Sequence, residues 1–212
     1  MTQVRYNYRL RVSPPQDGLL QGVFDTNRFV WNQTLGRWRD LWSNEGLSYD
    51  YKEANKELTD WRSRFGWLAE QPSVSQQQVI RDLYKSIAAF FDKSNPASRP
   101  RFKRAKDEYS TARWVKTGFG VSGSGFGINQ DDSLQLATSK GRIDIRVVWS
   151  RPLPAEPTSV TIYRNKSGLW YVSFVVEVEV PQTPSNLTGA STGLDVGLTT
   201  FATTPRPNNR YR

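Results

Sequence analysis

The first regular pattern in the chain is a strict alternation of apolar and polar residues near its start. Apolar residues would share one face of a β-strand: Val4, Tyr6, Tyr8, Leu10 and Val12. The residues between them would share the opposite face: Arg5, Asn7, Arg9 and Arg11. The alternation therefore predicts a strand with a basic outer face, which ends at Ser13-Pro14-Pro15.

Three segments with helical spacing follow this strand. In the first, large apolar residues recur at steps that suit one face of a helix: Leu20, Phe24, Trp31, Leu35, Trp38 and Trp42. Gly46 ends that helix, a second is predicted over residues 51–62, and a third begins at Pro72-Ser73. We interpret the Trp and Phe stripes as core and expect one or two of the tryptophans to be exposed.

Beyond Ser94-Asn95-Pro96 the pattern changes to that of strands. The candidates are 112–117, 125–128, 144–149, 159–164 and 170–180, and Asn165-Lys166-Ser167-Gly168 suits a hairpin turn between the last two. The last strand is largely apolar on both faces at first, which predicts a central position in a sheet. The simplest arrangement is an α+β fold in which a β-barrel is interrupted by three helices and resumes after Ser98.

The charge of the chain points to a polyanionic partner. Its 212 residues carry a formal net charge of +9, which favours nucleic acid over the alternative of an acidic membrane surface. The sequence has no run of about 18 apolar residues and no signal-peptide core near its start, so we expect a cytoplasmic, nucleoid-associated protein without membrane contact.

The absence of two residue types limits the chemistry. The chain has no cysteine and no histidine. This excludes disulfides, thiolate zinc sites, and Ser-His or Cys-His catalysis within the chain. A metal ion would have to be held by oxygen ligands, which suits a hard ion such as Mg²⁺.

A dense cluster of cations marks the return from helices to strands. It contains Arg99, Arg101, Lys103, Arg104 and Lys106 around the ring of Phe102. Clustered cations can neutralise phosphates, and an interleaved ring can stack on a base. The alternative is a solvated basic loop with Phe102 packed into the core; the overall charge favours nucleic acid.

Two further groups of polar residues are candidates for nucleic-acid contacts. Arg28 and Asn32 lie four residues apart on one face of the first helix, where they could grip phosphates or instead bridge neighbouring elements. Gln76, Gln77 and Gln78 open the third helix and could contact bases, although a polar first turn is also ordinary.

Residues 193–202 have the sequence GLDVGLTTFA, which we interpret as a strand with one carboxylate, Asp195. Small residues beside Asp195 would allow a metal ion or a ligand to approach the strand closely. A metal-dependent phosphodiesterase site needs several convergent carboxylates, and no second or third carboxylate motif follows before Arg212. From the sequence we therefore expect an incomplete site that does not cleave DNA by itself.

Four motifs in order resemble the TnpB (OrfB) proteins of insertion sequences, which are relatives of type V CRISPR effectors. Residues 193–202 resemble their first RuvC motif, and residues 28–32 (RFVWN) resemble a signature of their first helix. Residues 88–91 with 99–103 are similar to their A-x-x-x-F-F … P-R-F-K pattern, and 159–162 with 168–174 match the paired strands before the nuclease domain.

The resemblance implies a wedge-type β-barrel interrupted by a three-helix recognition bundle, then a RuvC-like domain of RNase H topology. It implies these boundaries: a first barrel strand at 1–14, a helical recognition insertion at 15–95, the remainder of the barrel at 96–181, a linker at 182–190, and the incomplete RuvC-like start at 191–212. It further implies a structured guide RNA and double-stranded target DNA with a short adjacent motif as partners. Mg²⁺ would be the metal of the complete site, with Asp195 as its first catalytic carboxylate.

The resemblance leaves three functions open for a chain that ends after the first RuvC motif. It could be the RNA- and DNA-binding portion of an RNA-guided DNA endonuclease. It could be half of a split nuclease whose remaining carboxylates come from another chain. It could also be a nuclease-dead, RNA-guided DNA-binding regulator.

Overall fold

The computed structural model describes residues 2–42, 46, 48–94, 97–105, 110–116 and 125–179. The strand predicted from the alternation between Val4 and Val12 is present as β1 (Thr2–Arg11). Lys106, the predicted linker at 182–190, and the RuvC-like start with Asp195 lie outside the described residues.

The helices follow β1 directly, and local sequence sets their starts. They are α1 (Pro14–Asp40), α2 (Tyr51–Arg64), the short α3 (Gly66–Ala69) and α4 (Ser73–Phe91). Proline occupies the first turn of α1, where its missing N–H has no partner to lose. Asp50 and Glu53 cap α2 reciprocally, each side chain accepting a hydrogen bond from the other residue's backbone N–H at 2.8 Å.

The remaining strands all follow the helices. They are β2 (Thr111–Val115), β3 (Phe126–Ile128), β4 (Ser133–Thr138), β5 (Gly141–Val148), β6 (Pro157–Arg164) and β7 (Trp170–Val178). Within the described residues they join β1 in one 7-stranded sheet of order β2-β6-β7-β1-β5-β4-β3, and all its pairs are antiparallel. The fold is therefore a mixed α and β fold in which the helices are inserted between the first two strands of the sheet.

The sheet curls until its two edge strands approach each other. The backbone N–H of Gly125, just before β3, donates to the carbonyl of Val115 at the end of β2, at an N···O distance of 3.2 Å. The indole Nε1 of Trp114 donates to the carbonyl of Ala137 at 3.1 Å. A Cβ at position 125 would lie 2.7 Å from the Val115 carbonyl oxygen, so this close approach requires glycine.

Helix α1 contributes to two hydrophobic cores. Its first half places Leu20, Val23 and Phe24 among the inward residues of the curled sheet, and Phe24 stacks on Trp170 with the ring centroids 5.3 Å apart. Its second half joins α2, α3 and α4 in a helical core that includes Leu35, Leu58, Leu68, Ile80 and Leu83. One continuous helix therefore fixes the helical insertion against the sheet.

The sequence patterns located the strands and long helices but missed two elements. Strand β4 has only Leu134 and Leu136 as buried apolar positions, an alternation too short to distinguish from a loop. Pairing with β3 on one side and β5 on the other places it in the sheet. A four-residue helix such as α3 is not stable in isolation, because nucleating a helix costs more free energy than one turn of hydrogen bonds returns. Hydrogen bonds from the Arg62 guanidinium to the carbonyls of Leu68 and Ala69 hold it in place.

Several finer expectations are also met. The turn before β7 has the predicted hairpin form, with Gly168 at a φ of +77° and its N–H bonded to the Asn165 carbonyl. Strand β7 lies inside the sheet between β6 and β1. Among the helical tryptophans, Trp38 is buried, whereas Trp42 and Trp67 are 51% and 47% exposed.

None of the helices in the described residues has the length and hydropathy of a membrane span.

Candidate nucleic-acid interface

Residues 97–105, which we call the docked segment, run along α1 and are held mainly through their backbone. Three side chains of α1 donate hydrogen bonds to backbone carbonyls of this segment: Arg39 to Pro100 at 2.6 Å, Trp31 to Arg101 at 2.9 Å, and Asn32 to Lys103 at 2.9 Å. The carboxamide oxygen of Asn32 also accepts from the Lys103 N–H at 2.8 Å. Because the helix binds the backbone, the segment keeps a fixed path along α1, with the side chains of Arg99 and Arg101 exposed.

The basic residues of the docked segment lie at the surface, whereas Pro100 is buried. Arg99, Arg101, Lys103 and Arg104 are all exposed. Lys103 lays its ammonium 4.1 Å from the centroid of the Trp31 ring, and desolvation there lowers the pKa of this lysine, with the charge of Asp82 opposing the shift. Lys103 as a whole is exposed. The desolvation therefore affects its ammonium group, which packs against the Trp31 ring, and not the whole side chain.

For Phe102 the sequence left two roles open, stacking on a base or packing in the core, and its position has features of both. It is 46% exposed, so it is not a core residue. One side of the ring faces helix α1, where the guanidinium carbon of Arg39 lies 4.6 Å from the ring centroid and a Cβ at Gly36 would lie 3.9 Å from Phe102 Cε1. The exposed remainder of the ring is available to a ligand.

Arg28 and Asn32 take different roles although they share a helix face. Asn32 uses both ends of its carboxamide on the Lys103 backbone, so the predicted phosphate or base contact by Asn32 is corrected to a bridge between two elements. Arg28 pairs with Asp25 at 2.9 Å and lines a basic cleft. We define that cleft by its lining residues: Phe24, Asn27, Arg28, Lys103, Arg104, Ser110 and Thr111.

The basic face predicted for the first strand is present. Arg5, Arg9 and Arg11 are exposed along β1. The register brings Arg146 of β5 opposite Arg11, which extends the positive charge to a neighbouring strand. Arg146 was not among the residues predicted from the sequence, although Arg142, Asp144 and Arg146 alternate with apolar residues along β5 and could have been assigned to one face.

The prediction that all three glutamines of α4 contact bases is wrong for two of them. Gln76 is fully buried; its side chain accepts from Arg62 and donates to the Leu68 carbonyl at 3.0 Å. Gln78 is 6% exposed and accepts from Arg113 at 3.2 Å. Only Gln77 of the three is exposed, one residue away from a buried position on each side.

Helix α4 nevertheless has a polar outer stripe that was not predicted from the sequence. Gln77, Arg81 and Lys85 follow one another at four-residue steps and are exposed. That spacing places them on one ridge of the helix. The signal was available in the sequence, because the three positions alternate with the apolar stripe of Val79, Ile80, Leu83 and Ile87.

The described residues contain no group of three or more Asp, Glu, His or Cys side chains that could hold a metal ion. Asp195, the predicted metal ligand, lies outside them. Within the part of the chain that the structure describes, the candidate functional features are the cationic and aromatic surfaces given above.

Comparison with known proteins adds independent evidence. Residues 1–46 match the family HTH_OrfB_IS605, described as a helix-turn-helix domain. The chain is 34% identical over 210 residues to a Streptomyces pristinaespiralis protein named "Putative RNA-guided DNA endonuclease", covering 96% of this chain and 48% of that protein. It is 27% identical over 202 residues to "Putative RNA-guided DNA endonuclease InsQ" of Escherichia coli (strain K12), covering 93% of this chain and 46% of that protein.

A solved Cas12f1-sgRNA-target DNA complex aligns with all of this chain and 56% of the Cas12f1 chain, at a TM-score of 0.43 and 11% identity. The chain spans about half the length of the two curated relatives that it matches. The match of residues 1–46 and the identity to both relatives over nearly the whole of this chain agree with the four motifs of the sequence. The chain therefore belongs to the TnpB (OrfB) family.

Proposed function

We propose that this chain is the guide-RNA- and target-DNA-binding portion of a TnpB-like RNA-guided DNA endonuclease. The observation that carries the proposal is the docked segment: an exposed row of cations whose backbone is fixed to α1 by Trp31, Asn32 and Arg39. A backbone fixed in this way presents its charges at set positions, which reduces the ordering cost of binding a polyanion.

The RNA is assigned to the surface formed by the docked segment, the basic cleft and β1. Arg99, Arg101 and Arg104 contribute charge from the segment, Arg28 from the cleft, and Arg9 from the sheet. Each cation that neutralises a phosphate releases counterions, so affinity for RNA falls as salt rises. In such a complex the protein reads the backbone and shape of the RNA, while sequence is read by base pairing.

The DNA motif is assigned to the helical insertion, and within it to the outer stripe of α4. Gln77 and Arg81 have the side chains that pair with adenine and guanine in the major groove, and Lys85 can contact a phosphate. This replaces the predicted use of all three glutamines by the one that is exposed, together with its neighbours on the same ridge.

The catalytic part of the proposal rests on the family. Asp195 is proposed as the first RuvC carboxylate, with Mg²⁺ as the metal once further carboxylates complete the site. A bound metal ion would polarise the scissile phosphate and activate water.

The test measures RNA affinity against salt for the purified chain and two matched double variants. The wild type should bind a structured RNA with a steep log–log salt slope. Arg99→Ala/Arg101→Ala should flatten that slope by about 1.4 to 1.8, since each phosphate contact contributes about 0.7 on a single strand and about 0.9 on a duplex. The control Lys52→Ala/Lys56→Ala removes the same charge from the exposed face of α2 and should leave the slope unchanged. Equal slopes for the two variants would place the RNA elsewhere.

A further inference from the structure

Two tyrosines form a stacked pair on the outer face of the sheet. Tyr163 of β6 and Tyr171 of β7 are register partners, with ring centroids 5.4 Å apart and ring planes 14° apart. Both are partly exposed. Within the described residues, neither ring has another aromatic or cationic partner among the ring contacts, so the pair is not the edge of a larger aromatic cluster.

The pair lies in a row that crosses four strands. Thr111 of β2 is the partner of Tyr163, and Arg9 of β1 is the partner of Tyr171. With strands about 4.8 Å apart, the row from Thr111 to Arg9 is roughly 14 Å long. Beyond Arg9, the next outward position on β1 is Arg11, opposite Arg146. The rings are therefore followed on one side by a group of arginines.

The other end of the row meets the basic cleft. Thr111 belongs both to the row and to the lining of the cleft that contains Arg28, Lys103 and Arg104. Cations thus lie toward both ends of the tyrosine pair, and Thr111 is the residue that the row and the cleft share. This alternation of charge, ring and charge matches what a flexible polyanion with flat, apolar bases requires.

We propose that the Tyr163–Tyr171 pair is a stacking site for unpaired bases of single-stranded RNA, whose phosphates lie over Arg9, Arg11 and Arg146 and reach the basic cleft. The inference rests on the proposed function, since it assumes that the chain binds RNA. It adds that the outer face of the sheet binds the RNA and that the bound segment is single-stranded. A duplex keeps its base faces stacked inside, so only unpaired bases can use this site.

RNA is favoured over single-stranded DNA by the hydroxyl groups of the row. Thr111 is exposed and Thr161 is partly exposed on the same face, and both tyrosines carry phenolic hydroxyls. Hydroxyls both donate and accept, as does the ribose 2′-OH that distinguishes RNA from DNA. Cross-strand tyrosine pairs also occur simply because they stabilise a sheet, and the experiment is designed to separate that role from stacking.

The experiment compares the full chain with two double variants, using a fluorescent RNA of about ten nucleotides that has no internal pairing. Tyr163→Val/Tyr171→Val removes both rings and keeps residues that favour strands. Its affinity for the RNA should fall about fivefold to 150-fold for each lost stack. The salt slope should stay unchanged, because rings contact no phosphate. Tyr163→Phe/Tyr171→Phe keeps the rings and should retain most of the affinity.

The controls separate folding, location and ligand. Circular dichroism and thermal unfolding show whether the valine variant is folded, and Trp67→Leu removes an exposed ring of the helical insertion and should not change RNA affinity. For wild type, RNA that carries 5-iodouridine should cross-link under light to the peptide of Tyr163 or Tyr171. This second measurement needs no variant, so the proposal stays testable even if the valine variant unfolds.

The possible results separate this inference from the proposed function. Wild type that binds RNA with a salt slope, together with a folded valine variant of equal affinity or a cross-link confined to other peptides, overturns this inference and leaves the proposed function standing. Wild type that binds no RNA overturns both. A single-stranded DNA of the same sequence that binds as tightly, with the same loss on Tyr→Val, overturns the assignment to RNA. A duplex RNA that shows the same loss overturns the assignment to unpaired bases.

Discussion

The docked segment and the first turn of α4 look alike in sequence, because both are polar runs beside apolar residues, but the fold uses them in opposite ways. In the docked segment, α1 binds backbone carbonyls, and the cationic side chains remain exposed. In α4, the side chains of Gln76 and Gln78 are themselves the internal hydrogen-bonding groups. When the fold binds a residue through its backbone, the side chain can still contact a ligand. When the fold uses the side chain itself in an internal hydrogen bond, that contact is lost.

The largest effect expected from this contrast is on stability, at Gln76. Gln76→Ala leaves the Arg62 guanidinium, whose pKa burial already lowers, without one acceptor, and it also removes a bond to the Leu68 carbonyl. Hydrogen bonds to charged groups contribute about 1.5–3 kcal/mol, so we expect a loss of about 3 kcal/mol in the free energy of unfolding. Urea denaturation measures it.

Gln77→Ala is the matched control for that prediction. The side chain of Gln77 is exposed, so its removal should change the free energy of unfolding by less than about 0.5 kcal/mol. Equal losses for the two variants would mean that Gln76 is not an internal hydrogen-bonding residue.

The second effect tests whether the docked segment depends on α1. Asn32→Ala removes two hydrogen bonds to the Lys103 backbone and should lower the free energy of unfolding by about 1–2 kcal/mol. RNA affinity should fall as well, although Asn32 touches no phosphate, because the cations lose their fixed positions. Gln33→Ala changes the exposed neighbouring residue and should alter neither quantity. If RNA affinity is unchanged in folded Asn32→Ala, docking does not matter for binding.

A third effect concerns DNA and the outer stripe of α4. Gln77→Ala should relax the preference for one base of the adjacent motif by about 1–3 kcal/mol, the value of a bidentate pair. Arg81→Ala should do the same at another position, and guide-RNA affinity should stay nearly intact for both. A binding selection on randomised motifs, with wild type and each variant, gives the answer. Identical motif preferences for wild type and both variants would mean that the outer stripe of α4 faces solvent and does not contact the DNA motif.

The smallest effect distinguishes the roles of Phe102. Phe102→Leu removes the ring over Arg39, an exposed cation–π contact that contributes about 0.5–1 kcal/mol to stability. If the exposed part of the ring stacks on a base, RNA affinity falls more than stability does, and Phe102→Tyr retains it. A loss of stability alone, with RNA affinity measured on folded protein, would leave Phe102 as a packing residue on α1.

The sequence was a good guide wherever a pattern repeats along one element. The alternation in β1, the apolar stripes of α1 and α4, and the turn before β7 each predicted an element that the structure contains. The same alternation placed Arg5, Arg9 and Arg11 on the surface, because side chains on a strand point to alternate faces. Strand β4 and helix α3 were missed, because neither is long enough to carry a period of its own.

What the sequence determined by itself is the three long helices, most of the strands, the sign of the charge and the family, since each follows from neighbouring residues or from ordered motifs. The tertiary structure alone decided which polar side chains are free for a ligand. Asn32 meets Lys103 across 71 positions of sequence, and Tyr163 meets Thr111 and Tyr171 only through strand register. The partners of a polar group come from distant parts of the chain, and a hydrogen bond that must be satisfied on burial is visible only once those parts have met.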